Sequence, residues 1–391
     1  MPCPYGSSDP GLAVETGEFR RRSPGWARDV CHNGSVTRGL ALRLGLIGSA
    51  ALLLAVRWPA GVVERSYARS VYPQIQSIVT GVSNLAPFAL LDVLIVVGCL
   101  GLAWGAVRII RAGRNRRWLA SGRAILNLGT IAAAVFIVFY GCWGLNYQRE
   151  PVAAWLDFDE SRITPERAGT LADDVLAALV RLQRVAPPDT GSEDRQDLAR
   201  RLAPAFDEAV RAIGLPGGTR PGRPKVSLLD PYFIRAGVSG MTDPLLLETL
   251  AATNLLPVER PAVIAHEWGH LAGLARESEA SFVGWLACIH SDEWAQYSGW
   301  LDLFLRVVGS LDANQRRLAM ARLPGRAIGD IDLMRQRNNR DQIRIVSFVA
   351  WRTYDSYLKT NRVASGIRNY DEVVRLVMGT RFGSGWIPVR R

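Results

Sequence analysis

The chain has 391 residues, only four of them histidine, and a formal net charge of +11; its mean hydropathy is close to neutral at +0.06. That length allows two or three domains. The arginines are spread over loops and helix faces, without aromatic-basic interleaving or zinc-knuckle spacing, which argues against a nucleic-acid partner.

Residues 1–37 are rich in Gly, Pro, Ser and Arg and are expected to form a disordered basic tail. Three segments then have the length of a membrane span. The first, Gly39 to Val56, is interrupted by Arg43 near its start. The second, Phe88 to Ile109, carries Asp92 and Arg108 near its ends. The third, Ala124 to Leu145, has no charged residue. A soluble core helix is rarely apolar on every face over such a length. The first run also has the length of a signal-peptide core, but no small-residue cleavage site follows it. Between the first two, Val63, Tyr67, Val71, Ile75, Ile78 and Val82 recur at helical spacing, which predicts an interfacial or exposed helix pair broken at Pro73.

Arginine bias sets the orientation. Arg20, Arg21, Arg22, Arg28, Arg38 and Arg43 lie at the N-terminal side, and Arg111, Arg114, Arg116, Arg117 and Arg123 lie between the second and third spans. The intervening loop has only Arg57, Arg65 and Arg69, with Glu64 among them. The N-terminus and the second loop are therefore expected in the cytoplasm, and everything after the third span outside. Trp143, Tyr147 and Trp155 fit an aromatic belt at that boundary. The expected division is a membrane domain over 38–147 and an outer domain over 148–391.

In the outer domain, Thr164-Pro165-Glu166 reads as a capped helix start running to about Arg184. A second helix covers Glu193 to Ile213, and a Gly/Pro-rich loop follows to Lys225. Val226–Leu229, Phe233–Val238 and Leu250–Asn254 are short strand candidates. Helices are expected over Val258–Ala275, Glu277–His290, Asp292–Val308, Ala313–Leu323, Arg340–Lys359 and Tyr370–Met378. The fold class is thus mainly α, with a small sheet in the outer domain. Cys288 has no disulfide partner there and reads as a small buried residue.

Half of the histidines fall in one pentad, His266-Glu267-Trp268-Gly269-His270. On a helix, residues i and i+4 share a face, so both imidazoles can reach one metal ion, and Glu267 can lean over the same site as a general base. Pro261 suits the first turn of that helix. The bland alternative is a buried helix with two satisfied histidines. The apolar stretch from Pro261 to Ala275 is too short to span a bilayer, and charges bracket it, so it reads as a core helix rather than an intramembrane one.

Such a site needs a third protein ligand and an open fourth position. Glu277 and Glu279 compete. Glu277 shares a helix face with Ala280, Gly284 and Ala287, small residues that permit close approach to the pentad helix. Glu279 shares one with Phe282, Val283 and Leu286. Packing favours Glu277 as ligand, with Glu279 as a supporting partner or paired to Arg276. His290 reads as a polar helix-end residue. Tyr297 and Arg340 are conceivable oxyanion donors, with a structural role the stronger reading for both. In HExxH enzymes a strand edge beside the active-site helix often pairs with extended peptide; Thr249–Thr253 is assigned that role, an ordinary buried strand being an equal reading.

Several stretches carry a resemblance: Val62-Val63-Glu64-Arg65, Tyr72-Pro73, Pro87-Phe88, Trp143-Gly144-Leu145-Asn146-Tyr147, the block from Ala265 to Gly299, and Tyr354-Asp355-Ser356-Tyr357-Leu358-Lys359 with Tyr370 and Val373-Val374 beyond it. Together they resemble an uncharacterised bacterial family of three-span membrane proteins with an outer, zincin-like domain of the gluzincin metallopeptidase type. The resemblance implies Zn²⁺ and an acidic third ligand, and Glu277-Ser278-Glu279-Ala280 is similar to the E-x-x-A ligand helix of gluzincins. Where some of those have aspartate, this chain has Ser281. The expectation is a membrane-anchored zinc metallopeptidase, with His266, His270 and Glu277 on the metal and Glu267 catalytic. It hydrolyses peptides or proteins on the non-cytoplasmic side of a lipid bilayer. The rivals are a catalytically silent zincin-fold scaffold of the cell envelope, and a zinc hydrolase of something other than peptides, such as cell-wall material.

Overall fold

The structure, a computed structural model, describes residues 25–115, 118–185, 195–360 and 372–391. Helix α1 (Gly25–Ala55) begins inside the segment expected to be an unstructured tail; residues 1–24 of that tail lie outside the described residues. Helix α2 (Ala60–Val63) runs on through a π turn at Glu64–Ala68, and α3 covers Val71–Leu85. A helix pair was expected here, but its break falls at Arg69-Ser70. Pro73 sits instead in the first turn of α3, where its missing N–H removes no helical hydrogen bond.

The face of α3 that turns inward is polar. Gln76 donates to the Arg220 carbonyl at 2.8 Å, Thr80 to Leu247 at 2.9 Å and Ser83 to Leu246 at 2.6 Å. Its outward face carries exposed Val71, Ile78, Val82 and Leu85. This inversion of ordinary amphipathicity suits a helix lying against lipid.

Helices α4 (Leu90–Arg114) and α5 (Trp118–Cys142) are each 25 residues long and apolar enough to cross a membrane. A third span is counted if Gly39–Ala55 is joined to Ala60–Ala68, a pair bent by 118°. Helix α4 runs past the expected Ile109 because Arg and Ala continue a helix readily.

Beyond α5 come α6 (Pro165–Leu182), with Thr164 accepting from the Arg167 N–H as its cap, and α7 (Arg195–Ala212). Then follow β1 (Pro224–Lys225), α8 (Asp230–Ala236), β2 (Gly240–Thr242) and β3 (Thr249–Ala251). The segment expected as a strand over Phe233–Val238 is mostly helix α8. Pro231 suits its first turn and Gly237 (φ 75°) caps its end in the left-handed region; these terminal signals outweigh a short apolar run. The strand expected at Val226–Leu229 is not formed either, since β1 stops at Lys225. The sheet order is β1-β3-β2, with β3 parallel to β1 and antiparallel to β2.

The helical body consists of α9 (Arg260–Leu271), α10 (Glu277–Ile289), α11 (Glu293–Ser310), α12 (Ala313–Ala321), α13 (Gly325–Asp341), α14 (Arg344–Thr360) and α15 (Glu372–Gly379). Asp312 and Gln315 close a capping box on α12. The helix expected over Arg340–Lys359 is α14, which starts at Arg344; α13, which ends at Asp341, was not anticipated. Helix α10 is buried along its whole length. The core around it also takes in Val63, Tyr67, Tyr72 and Trp143. The line drawn at residue 147 between membrane and outer domains therefore runs through one shared core.

Candidate metal and catalytic site

Pro261 opens α9, and Gly273 (φ 83°) ends it in a left-handed turn, with Gly273 N–H on the His270 carbonyl at 2.8 Å and Leu274 N–H on Gly269 at 3.2 Å. The chain then reverses into α10. Two glycines set how closely these helices meet. A Cβ on Gly269 would stand 2.7 Å from the Ala280 Cα, and one on Gly284 would stand 2.8 Å from the His266 backbone nitrogen. Backbone meets backbone here, as the small-residue stripe suggested.

That approach carries the Glu277 carboxylate to the two imidazoles. Glu277 Oε2 lies 3.1 Å from His266 Nε2 and 3.6 Å from His270 Nε2. Among the described residues, one ligand atom from each of the three lies within 4.8 Å of the others. Two ligands about 2.1 Å from a tetrahedral zinc stand about 3.4 Å apart, so the donor set fits that ion by type and by spacing. Glu279 points elsewhere. It accepts from the Val152 N–H and from Arg276, each at 3.0 Å, and so ties down the chain that follows α5.

Each ligand candidate is oriented from behind. His270 Nδ1 donates to the Leu274 carbonyl at 2.8 Å, which turns Nε2 to the cluster. His266 Nδ1 lies 3.0 Å from Ser281 Oγ. Tyr354 of α14 donates to Glu277 Oε1, which leaves Oε2 facing the imidazoles. Trp143, just past the end of α5, sets its ring edge-on to His270 at 6.2 Å.

Glu267 is buried beside this group. Thr242 Oγ1 lies 2.9 Å from its Oε2 and 2.8 Å from its carbonyl oxygen. Gly240 presses on the same carboxylate, where a Cβ would come within 2.7 Å of Oε1. Burial pushes the Glu267 carboxyl above its usual range, against the nearby imidazoles and the Thr242 hydroxyl; a raised carboxyl is a better proton acceptor near neutral pH. Burial would also discharge His270, but the charge and hydrogen bond of Glu277, with Glu267 behind, lift it to about 9. Glu277 itself is held well below the carboxylate range, its desolvation outweighed by His270 and His266.

The helix end is braced by α3 and by the segment that follows α5. Tyr72 of α3 donates to the Leu271 carbonyl at 3.0 Å, and Arg149 to Gly273 at 2.9 Å. Glu64 fixes Arg149 with two bonds of 2.9 and 3.0 Å. A cavity of about 2190 Å³ opens over His266, Glu267, His270 and Glu277 and continues along α4 and α5.

The assigned strand edge is corrected. β3 is the middle strand and both its sides are paired, so Thr249–Ala251 presents no edge. The edge beside the site is β2. Asp243 N–H bonds Glu248 and Ala252 N–H bonds Ser239, so alternation turns the backbone groups of Gly240 and Thr242 outward. Tyr297 donates to Asp330 at 2.7 Å and Arg340 pairs with Asp341, both away from the cavity. His290 meets the Gly385 carbonyl. Thr242, Gly240 and the role of Tyr354 escaped the sequence reading. Tyr354 is 77 positions from Glu277 and carried no signal beyond its place in a recurrent block.

A family model described as a protein of unknown function, DUF3810, matches residues 67–378, and the chain belongs to that family. The match covers α3, both long apolar helices, the pentad and α14. No curated protein and no solved structure matches the chain.

Proposed function

We propose that the protein is a membrane-anchored zinc metallopeptidase, with a zincin-like domain that hydrolyses peptide bonds on the non-cytoplasmic side of the bilayer. The observation that carries this reading is the convergence of His266, His270 and Glu277 at zinc-ligand spacing, with the buried Glu267 carboxylate next to it. The arginine distribution supports a cytoplasmic N-terminus and an outer site.

A zinc ion in this cluster supplies a Lewis acid that acidifies water and polarises the scissile carbonyl. Glu267 takes the proton from the attacking water and returns it to the leaving amine, a role its raised carboxyl suits. Thr242 and Gly240 hold that carboxylate in one pose. The outward backbone groups of Gly240 and Thr242 offer an extended substrate a strand to pair with. Tyr354, Ser281 and the Leu274 carbonyl keep the ligand rotamers fixed.

The test is Glu267→Gln in the full chain, reconstituted in lipid with Zn²⁺. The variant should hold one zinc per chain as the wild type does. Its peptide hydrolysis should fall by about 10²–10⁴-fold, the usual share of a general base. A wild type that holds no zinc, or equal hydrolysis by both proteins, refutes the reading. Zinc binding without hydrolysis in either protein leaves a scaffold.

A further inference from the structure

We infer that the substrate is a polypeptide anchored in the bilayer, whose membrane-spanning segment lies in the groove along α4 and α5 while its outer end reaches the metal cluster. This names a substrate class and rests on the peptidase reading above.

The groove is one continuous space with the site. Its walls run from His266, Glu267 and Glu277, past Trp143 and Tyr147, down to Arg108, Arg111 and Arg123 at the far ends of α4 and α5. On α4 the lining extends from Val97 to Ala112, a rise of about 22 Å at 1.5 Å per residue. The hydrocarbon core of a bilayer is about 30 Å thick. A lipid of one leaflet fills about half of that; a spanning polypeptide fills it all.

The surface of the groove suits a helix. Gly98, Gly101 and Gly105 line the groove from α4 at helical spacing, and Leu128, Ala132 and Phe136 line it from α5. A Cβ at Gly98 or Gly101 would meet nothing within 4 Å. Small residues beside open space allow another helix to approach closely in lipid. The near end is built differently. There α14 contributes Ala350, Trp351 and Tyr354, and the outward backbone of β2 begins. An apolar helix below and an extended polar segment above are the two halves of a chain emerging from a membrane. Two further elements present apolar residues outward, as contact with lipid requires: α3 with Val71, Ile78, Val82 and Leu85, and α14 with Ile345, Phe348 and Val349.

The experiment uses the full chain in phosphatidylcholine–phosphatidylglycerol nanodiscs with Zn²⁺. Two peptide pools share one randomised eight-residue stretch; in one pool it continues into a 20-residue Leu/Ala span, in the other it does not. The anchored pool should be cut at least tenfold faster. Gly98→Leu with Gly101→Leu adds side chains at two positions where a Cβ meets nothing within 4 Å, and should lower the anchored-to-soluble ratio at least tenfold. Equal rates on the two pools, or a ratio that the double variant leaves intact, overturns the proposal. If neither pool is cut, hydrolysis itself is refuted, and the groove is read by photocrosslinking in Glu267→Gln. A diazirine-leucine at mid-span should label residues 97–115 and lose that label in the double variant. No label there, or a diazirine phospholipid labelling the same segment undiminished by the peptide, overturns the groove whatever the activity.

Discussion

Replacing Gly284 by alanine tests how the site is assembled. The added Cβ would stand 2.8 Å from the His266 nitrogen and 3.0 Å from both the Ala265 carbonyl carbon and the His266 Cα. All three are backbone atoms and cannot swing aside. To restore ordinary contact at about 3.5 Å, α10 must withdraw from α9 by roughly 0.6 Å. Glu277 lies seven residues away on the same helix, about 10 Å along its axis, so its carboxylate moves with the backbone. Metal sites tolerate about 0.2 Å in ligand distance. Zinc affinity should fall about 10–100-fold, the range for disturbed support of a ligand, or about 1.4–2.8 kcal/mol. The overpacking costs about 1–3 kcal/mol of stability, partly offset by about 1 kcal/mol of helix propensity. The assay is zinc competition against a chromophoric chelator, with a thermal scan alongside. Gly329→Ala is the control; that glycine is exposed in mid-α13 with open space around it and should gain about 0.5–1 kcal/mol. Zinc affinity within twofold of the wild type, at an unmoved thermal midpoint, would refute the claim that this contact sets the ligand geometry.

Tyr354→Phe removes the hydroxyl that donates to Glu277 and should weaken zinc about tenfold with little change in thermal stability; an unchanged chelator titration excludes the support role. Glu248 pairs with buried Lys225 at 2.5 Å and accepts from the Leu90 and Leu91 N–H groups that open α4. Glu248→Ala should cost about 3–5 kcal/mol by stranding the ammonium, and adding Lys225→Met should recover part of it; a midpoint unmoved by the single change sinks the idea. Burial raises the Asp243 carboxyl from 3.8 to about 6, against two backbone N–H bonds. Because the folded value exceeds the unfolded one, its contribution is complete below about pH 4 and is lost as pH rises through 6. The total is about 3 kcal/mol. Asp243→Asn should flatten the fall in stability between pH 4 and 7, and an identical slope in both proteins rejects the assignment.

Much of the site was legible because it is local. His266 and His270 share a face through the helical repeat alone, and the Ala280–Gly284–Ala287 stripe predicts close packing of α10, which Gly269 and Gly284 display. The long apolar helices were legible for the same reason, since length and hydropathy are properties of a segment. The misreadings fall where neighbours decide. Phe233–Val238 has a strand-like composition, yet Pro231 and Gly237 bracket a helix. The segment of α3 was read from its apolar residues alone, and its polar residues meet carbonyls of the 220 and 246–247 loops.

From its sequence alone, this protein has a pentad able to present two imidazoles on one helix face with a carboxylate beside them, and apolar stretches long enough for lipid. Both follow from periodicity within a single element. Tertiary structure decided which glutamate meets the histidines, that Tyr354 stands behind it, that β2 and not β3 is the open edge, and that the cavity over the site runs on between α4 and α5. Those facts depend on residues tens of positions apart being brought together, and that outcome belongs to the packing of the whole chain rather than to any one segment.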